Sequence, residues 1–133
     1  MTVINPITND DMYQAAKLVL LPHLGYYATD NNVRLPAIYF DSAPEVSNVF
    51  GLECIIPPRI SNNRHHGCVT TSYYVWYISL VNHPGRQTIY DAAEELAKIG
   101  QESRVIWSSP DKMQSGKPSA TIRIGSVNNS CEY

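Results

Sequence analysis

The longest run of strong β character in the chain is VTTSYYVWYISLV, residues 69–81. At the two-residue period of a strand, Val69, Thr71, Tyr73, Val75, Tyr77, Ser79 and Val81 share one face. Thr70, Ser72, Tyr74, Trp76, Ile78 and Leu80 share the other. A strand with one wet face alternates apolar and polar residues. Here apolar side chains lie on both sides, so both faces need cover.

Around this strand the pattern alternates between helical and extended periods. Met12, Ala15, Ala16, Val19 and Leu20 repeat at helical spacing, with Thr8 or Asn9 placed to cap and Asp10 and Asp11 in the first turn, before Pro22 stops the run. Residues 23–33 read as a loop carrying Tyr26 and Tyr27. Residues 34–40 are extended, and Pro36 assigns them to an edge or a strand start. Residues 41–48 read as a loop. Residues 49–56 form a second strand that ends at Pro57-Pro58, and SNNRHHG, residues 61–67, is turn chemistry leading into the long strand. Those two strands are expected to pair antiparallel as a hairpin.

A second helix follows Pro84-Gly85. Thr88 is placed as its cap with Asp91 at the box position, and Ile89, Ala92, Ala93, Leu96 and Ile99 make its apolar stripe up to Gly100. Residues 103–108 and 119–125 predict two more strands, separated by the polar loop SPDKMQSGKP. The reading is therefore a single α+β domain over residues 1–125 with a flexible tail at 126–133. Its sheet is mainly antiparallel and four- to five-stranded, with two helices packed on one face. Two helices cover one face of such a sheet. The second face of the long strand is left to loops or to another subunit.

Composition narrows the function classes. Of 133 residues 17% are charged, against an average near ~25%, and the net charge of −2 carries no basic footprint for nucleic acid. The first residues lack a basic stretch followed by an apolar one, and no run is long enough to span a bilayer, so no secretion or membrane association is expected. With the odd set Cys54, Cys68 and Cys131, this predicts free thiols in a reducing cytoplasm.

Candidate chemistry is sparse. His65, His66 and Cys68 form an H-H-x-C cluster of zinc-compatible ligands, but adjacent histidines on extended backbone point apart and no second ligand pair follows. Cys68 beside those histidines is a conceivable thiolate–imidazole pair, whereas Cys54 in LECII reads as apolar packing. Asp10-Asp11 and Glu94-Glu95 read as dipole complement and solvated helix surface. No nucleophile elbow, P-loop, dinucleotide fingerprint or zinc-protease motif occurs, so neither an enzyme nor a cofactor is expected. Trp76 among Tyr73, Tyr74 and Tyr77 resembles a stacking platform, but no Lys or Arg lies between Arg64 and Arg86, which favours core or interface packing. Tyr73, Tyr77, Trp76, Arg59, Arg64, Asp111 and Lys112 are the candidate interface residues.

The early helix, VRLPAIYF, GLECIIPP, TTSYYVWYISLV, TIYDAAEELAKI and the closing hairpin together resemble tail terminator proteins of long-tailed bacteriophages. The resemblance spans roughly residues 9–125 and rests on element order and strand character. It implies a virion protein, made in the host cytoplasm, that forms a homo-oligomeric ring, usually a hexamer, on the tail tube. Such a ring stops tube polymerisation and joins tail to head. The partners implied are further copies of the chain, the tail tube protein and a head–tail connector protein, with DNA only as cargo in the channel. Loops 41–48, 61–67 and 109–118 would reach those partners. Two alternatives remain: another connector or tube component, and a small ligand-binding or enzymatic α+β domain that uses the Tyr/Trp face.

Overall fold

The computed structural model describes residues 5–28, 33–41, 49–83, 87–100, 102–107 and 119–131. In chain order the elements are α1 (Asn9–Leu20), β1 (Tyr26–Ala28), β2 (Arg34–Pro36), β3 (Ile38–Phe40), β4 (Val49–Ile56), β5 (Ile60–His66), β6 (Val69–His83), α2 (Gln87–Leu96), β7 (Glu102–Trp107) and β8 (Ser119–Cys131). The strands form one sheet in the order β2-β1-β4-β6-β8-β7. Strand β3 lies parallel to β4, and β5 is antiparallel to β6. The α+β class and the mainly antiparallel pairing agree with the sequence pattern. The strand count does not: the described residues form eight strands, not four or five.

The differences have local causes. Residues 26–28, read as loop, pair with both β2 and β4. Pro36 divides the predicted 34–40 strand, leaving β2 on the sheet edge and β3 beside β4. Much of SNNRHHG is strand, because its polar side chains are all exposed and only its backbone is needed for pairing with β6. The reversal is the two-residue turn Gly67-Cys68, where Gly67 adopts φ 65° in the Gly-first pattern of a type II′ hairpin. Strand β4 does pair antiparallel with β6, but β5 intervenes in the chain. The expected tail is also ordered: β8 continues through residue 131, with Ser126 opposite Tyr74 and Cys131 opposite Val69. Both long loops expected to reach partners lie largely outside the described residues, 41–48 apart from Asp41 and 109–118 entirely.

Both helices form where their signals lie. Thr8 caps α1: its hydroxyl accepts from the Asp11 N–H at 3.0 Å, while the Asp11 carboxylate accepts from the Thr8 N–H at 3.0 Å and the Ile7 N–H at 3.2 Å. Those backbone donors, Thr8 foremost, hold Asp11 below the usual carboxylate range. Helix α2 begins at Gln87, so Thr88 sits inside its first turn instead of at the cap. Its end comes earlier than the stripe predicts. Helix α2 stops at Leu96, and the chain tightens as the Lys98 and Ile99 N–H groups donate to the Glu95 and Leu96 carbonyls. Gly100 beyond it takes φ 79°, where a Cβ would lie 2.8 Å from both the Gly125 carbonyl oxygen and Ile124 Cγ2.

The core has one sidedness. Met12, Ala15, Ala16 and Leu20 of α1 and Ile89, Ala92, Ala93 and Leu96 of α2 pack on Leu52, Cys54, Ile56, Trp76, Ile78, Leu80, Ala120, Ile122 and Ile124. Every one of those strand residues is an even-numbered position of β4, β6 or β8, so both helices lie on a single face. Trp76 is fully buried within it. Its assignment as an interface residue is therefore corrected: a side chain enclosed by its own subunit has no surface to offer a neighbour. Its indole Nε1 donates to Asn9 Oδ1 at 3.0 Å, and the same oxygen accepts from the Arg59 backbone N–H at 2.9 Å. This amide ties the start of α1 to the β4–β5 junction and to the centre of β6.

Replacing Trp76 with Ala is expected to cost ~3–5 kcal/mol of stability, measured by denaturant unfolding of the monomer. The Asp11 contribution has a defined pH sense. Its folded pKa is depressed, so the stabilisation is complete above the unfolded carboxylate range and is lost as pH falls through the lowered value. Asp11→Asn should melt earlier than the parent at pH 6, and the gap should close near pH ~2.

Candidate interaction face

The odd-numbered residues of β6 point away from both helices. Trp76, Ile78 and Leu80 are buried, whereas Tyr73 and Tyr77 remain 37% and 39% exposed. Strand pairing extends this second face across the molecule. Tyr77 lies opposite Arg123 of β8, which lies opposite Arg104 of β7. Ser79 faces Thr121, which faces Ile106, and Val75 faces both Ile60 of β5 and Gly125 of β8. Ile60 and Ile106 are 60% and 41% exposed. No described helix covers this surface.

Half of the face belongs to an arm. Strand β6 is 15 residues, ~50 Å when extended, but its fully buried positions begin only at Trp76. From Val69 to Tyr73 it runs between β5 and the last residues of β8, beyond the hydrophobic core, whose margin is Tyr74. All seven residues of β5 are exposed. The arm is steadied by side chains instead of by a core. The Arg64 guanidinium lies 5.8 Å from the Tyr73 ring, and His65 Nδ1 is 3.0 Å from Thr70 Oγ1. At its base Arg59 stacks 4.0 Å over Tyr74 and donates to the Ile7 carbonyl.

These positions sort the candidate residues. Tyr73, Tyr77 and Arg64 stand together on the open face. Arg59 is held by contacts within its own subunit, and Trp76 is in the core. Asp111 and Lys112 lie outside the described residues. Two residues that sequence reasoning did not select, Arg104 and Arg123, lie on this face at its β8–β7 edge as a directly opposed cross-strand pair. Their signal was the alternation of Ser-Arg-Val and Ile-Arg-Ile, which puts each arginine out of phase with the buried positions. A cleft of about 380 Å³ opens beside Gly125, whose missing side chain leaves room between Tyr73, Glu102 and Arg123.

The thiol chemistry also resolves. Cys54 is buried and free, and burial foremost, with the Glu53 charge second, pushes its pKa well above the ordinary thiol value. It stays protonated packing, as the apolar LECII context indicates. Cys68 is disulfide-bonded, which corrects the expectation of free thiols for this residue and removes it as a thiolate ligand or nucleophile. His65 is turned to Thr70, and the described residues contain no group of three or more His, Cys, Asp or Glu placed to hold a metal ion. At the other end of the open face, burial first and Glu53 second raise the Tyr39 hydroxyl far above the usual phenol range. No described helix is long and apolar enough to cross a membrane.

Comparison with protein-family models, curated proteins and solved structures finds no match to this chain. The face is characterised by its own geometry: a charged and aromatic sheet surface, continuous with a protruding arm. Tyr77→Ala should cost the monomer only about 1 kcal/mol, well below the loss at Trp76, in the same unfolding measurement.

Proposed function

We propose that this protein is a structural assembly subunit, a ring-forming terminator of a phage tail tube. The observation that carries the reading is the one-sided sheet. Both helices lie on one face of β6, while the opposite face keeps Tyr73, Tyr77, Ile60 and Ile106 at the surface. Exposed aromatic and aliphatic groups gathered on one flat surface mark protein contact, and Tyr and Arg are the residue types enriched there. The arm formed by β5, β6 and β8 gives such a subunit reach beyond its own core.

In this role the open face makes subunit–subunit contact, and the arm and polar loops engage the tube below or the connector above. The low charged fraction of 17% suits a protein with much of its surface in contact with others. The net charge of −2 is compatible with a channel through which DNA slides without sticking.

Light scattering on the purified chain, alone and with tail tubes, is expected to give a closed oligomer in at least the second condition. Tails assembled with the protein should have uniform length by electron microscopy, and tails assembled without it should overgrow. A chain that stays monomeric in both conditions, or tails of unchanged length distribution, would sink the reading.

A further inference from the structure

The open face is more basic than the chain as a whole. Among its described residues it carries Arg64, Arg104 and Arg123 against Glu53 and Glu102. Arg104 and Arg123 are cross-strand partners, and like charges in that relation repel. Neither makes a hydrogen bond or ion pair among the described residues. The Arg123 guanidinium instead leans over Gly125, 3.9 Å from where a Cβ would stand, at the mouth of the cleft. An arrangement of this kind is relieved by carboxylates brought from outside.

The chain carries a matching surface on its opposite side. The helices NDDMYQAAKLVL and QTIYDAAEEL hold five carboxylates, Asp10, Asp11, Asp91, Glu94 and Glu95, against Lys17 and, just past α2, Lys98. Lys98 pairs with Glu95 at 3.1 Å, so the layer stays net acidic through Asp10, Asp91 and Glu94. Their buried stripes face the sheet, so the remaining positions form the outer surface of the layer. There Asp91 and Glu94 are exposed beside Tyr90, 42% exposed, and Leu18 and Leu21 stand 70% and 59% exposed on α1. Acidic groups mixed with apolar ones thus form the counterpart of arginines mixed with Tyr73, Tyr77 and Ile106.

We propose that the open sheet face of one copy receives the acidic outer surface of the helix layer of the next copy, with Glu94 and Asp91 meeting Arg104 and Arg123. This rests on the self-association proposed above and names its two surfaces. Because they lie on opposite sides of one subunit, the contact is heterologous. Repetition of such a contact closes into a ring when the rotation per subunit permits. A face-to-face pair of open sheets would instead set arginine against arginine.

Charge exchange tests this directly. Arg104→Glu with Arg123→Glu reverses the sheet face, and Asp91→Arg with Glu94→Arg reverses the helix face. Each variant, shown folded by circular dichroism and a cooperative melt, is expected to lose the oligomer in light scattering, with tail tubes if the parent needs them. An equimolar mixture should recover the parent mass, since each reversed surface then finds its complement and an even-membered ring closes with alternating copies. Retained assembly by either variant alone, or a mixture of folded variants that stays monomeric, would overturn the inference. If the parent assembles and the helix variant assembles equally well, only this pairing of surfaces fails. If the parent never assembles, the assembly role fails with it.

Discussion

The placement of Trp76 is the constraint on which the rest of the structure depends. Strand β6 has apolar side chains on both faces, and only one can be covered by two short helices. The indole settles which. It is the largest fully buried side chain, and its Nε1 donates to an Asn9 oxygen that also takes the Arg59 backbone N–H. A buried indole N–H left without an acceptor would cost about 1–3 kcal/mol, so its position fixes the start of α1 over the middle of β6. Once Trp76 is inward, Ile78 and Leu80 must follow on the same side, and Tyr73 and Tyr77 must face outward. The charged and aromatic surface follows directly from this choice of core.

The same residue marks a mechanical boundary along β6. On the C-terminal side of Trp76, the strand is clamped between β4 and β8 under the helices. On the N-terminal side, its neighbours are β5 and β8, the core reaches only as far as Tyr74, and cation–aromatic contacts at Tyr73 and Tyr74 take over. A stable body and a more solvated arm share one continuous strand, so a load on the arm is passed to the core through backbone hydrogen bonds.

Much of this was legible in the sequence because it lay in periodicity. Thr8, Asp11, Met12, Ala15 and Ala16 define α1 from start to buried face. The Ile89–Leu96 stripe gives the buried face of α2, although its start at Gln87 and its end at Leu96 both differ from the Thr88 and Gly100 signals. The two-sided character of residues 69–81 was visible, but not which side is inward, since that depends on an amide 67 residues away. Strand β5 is not legible because Ser, Asn and His carry turn propensity, which pairing along one edge of β6 overrides. Residues 126–131 were read as loose for the same reason, since Asn128 and Asn129 favour turns yet gain their order from β6. Arg104 and Arg123 became a site only through register, which brings together two positions that are unremarkable in the linear sequence.

Strand order has a consequence for how the chain can be made. Strand β8, the last of the eight in sequence, lies in the sheet interior between β6 and β7. During synthesis β7 therefore has no lateral neighbour until residues 119–131 have emerged, and one whole edge of β6 stays unsatisfied until then. The nascent chain must wait with an open edge and an incomplete core, the state most exposed to off-pathway pairing. Completion then joins three strands at once, so order arrives late and cooperatively instead of element by element.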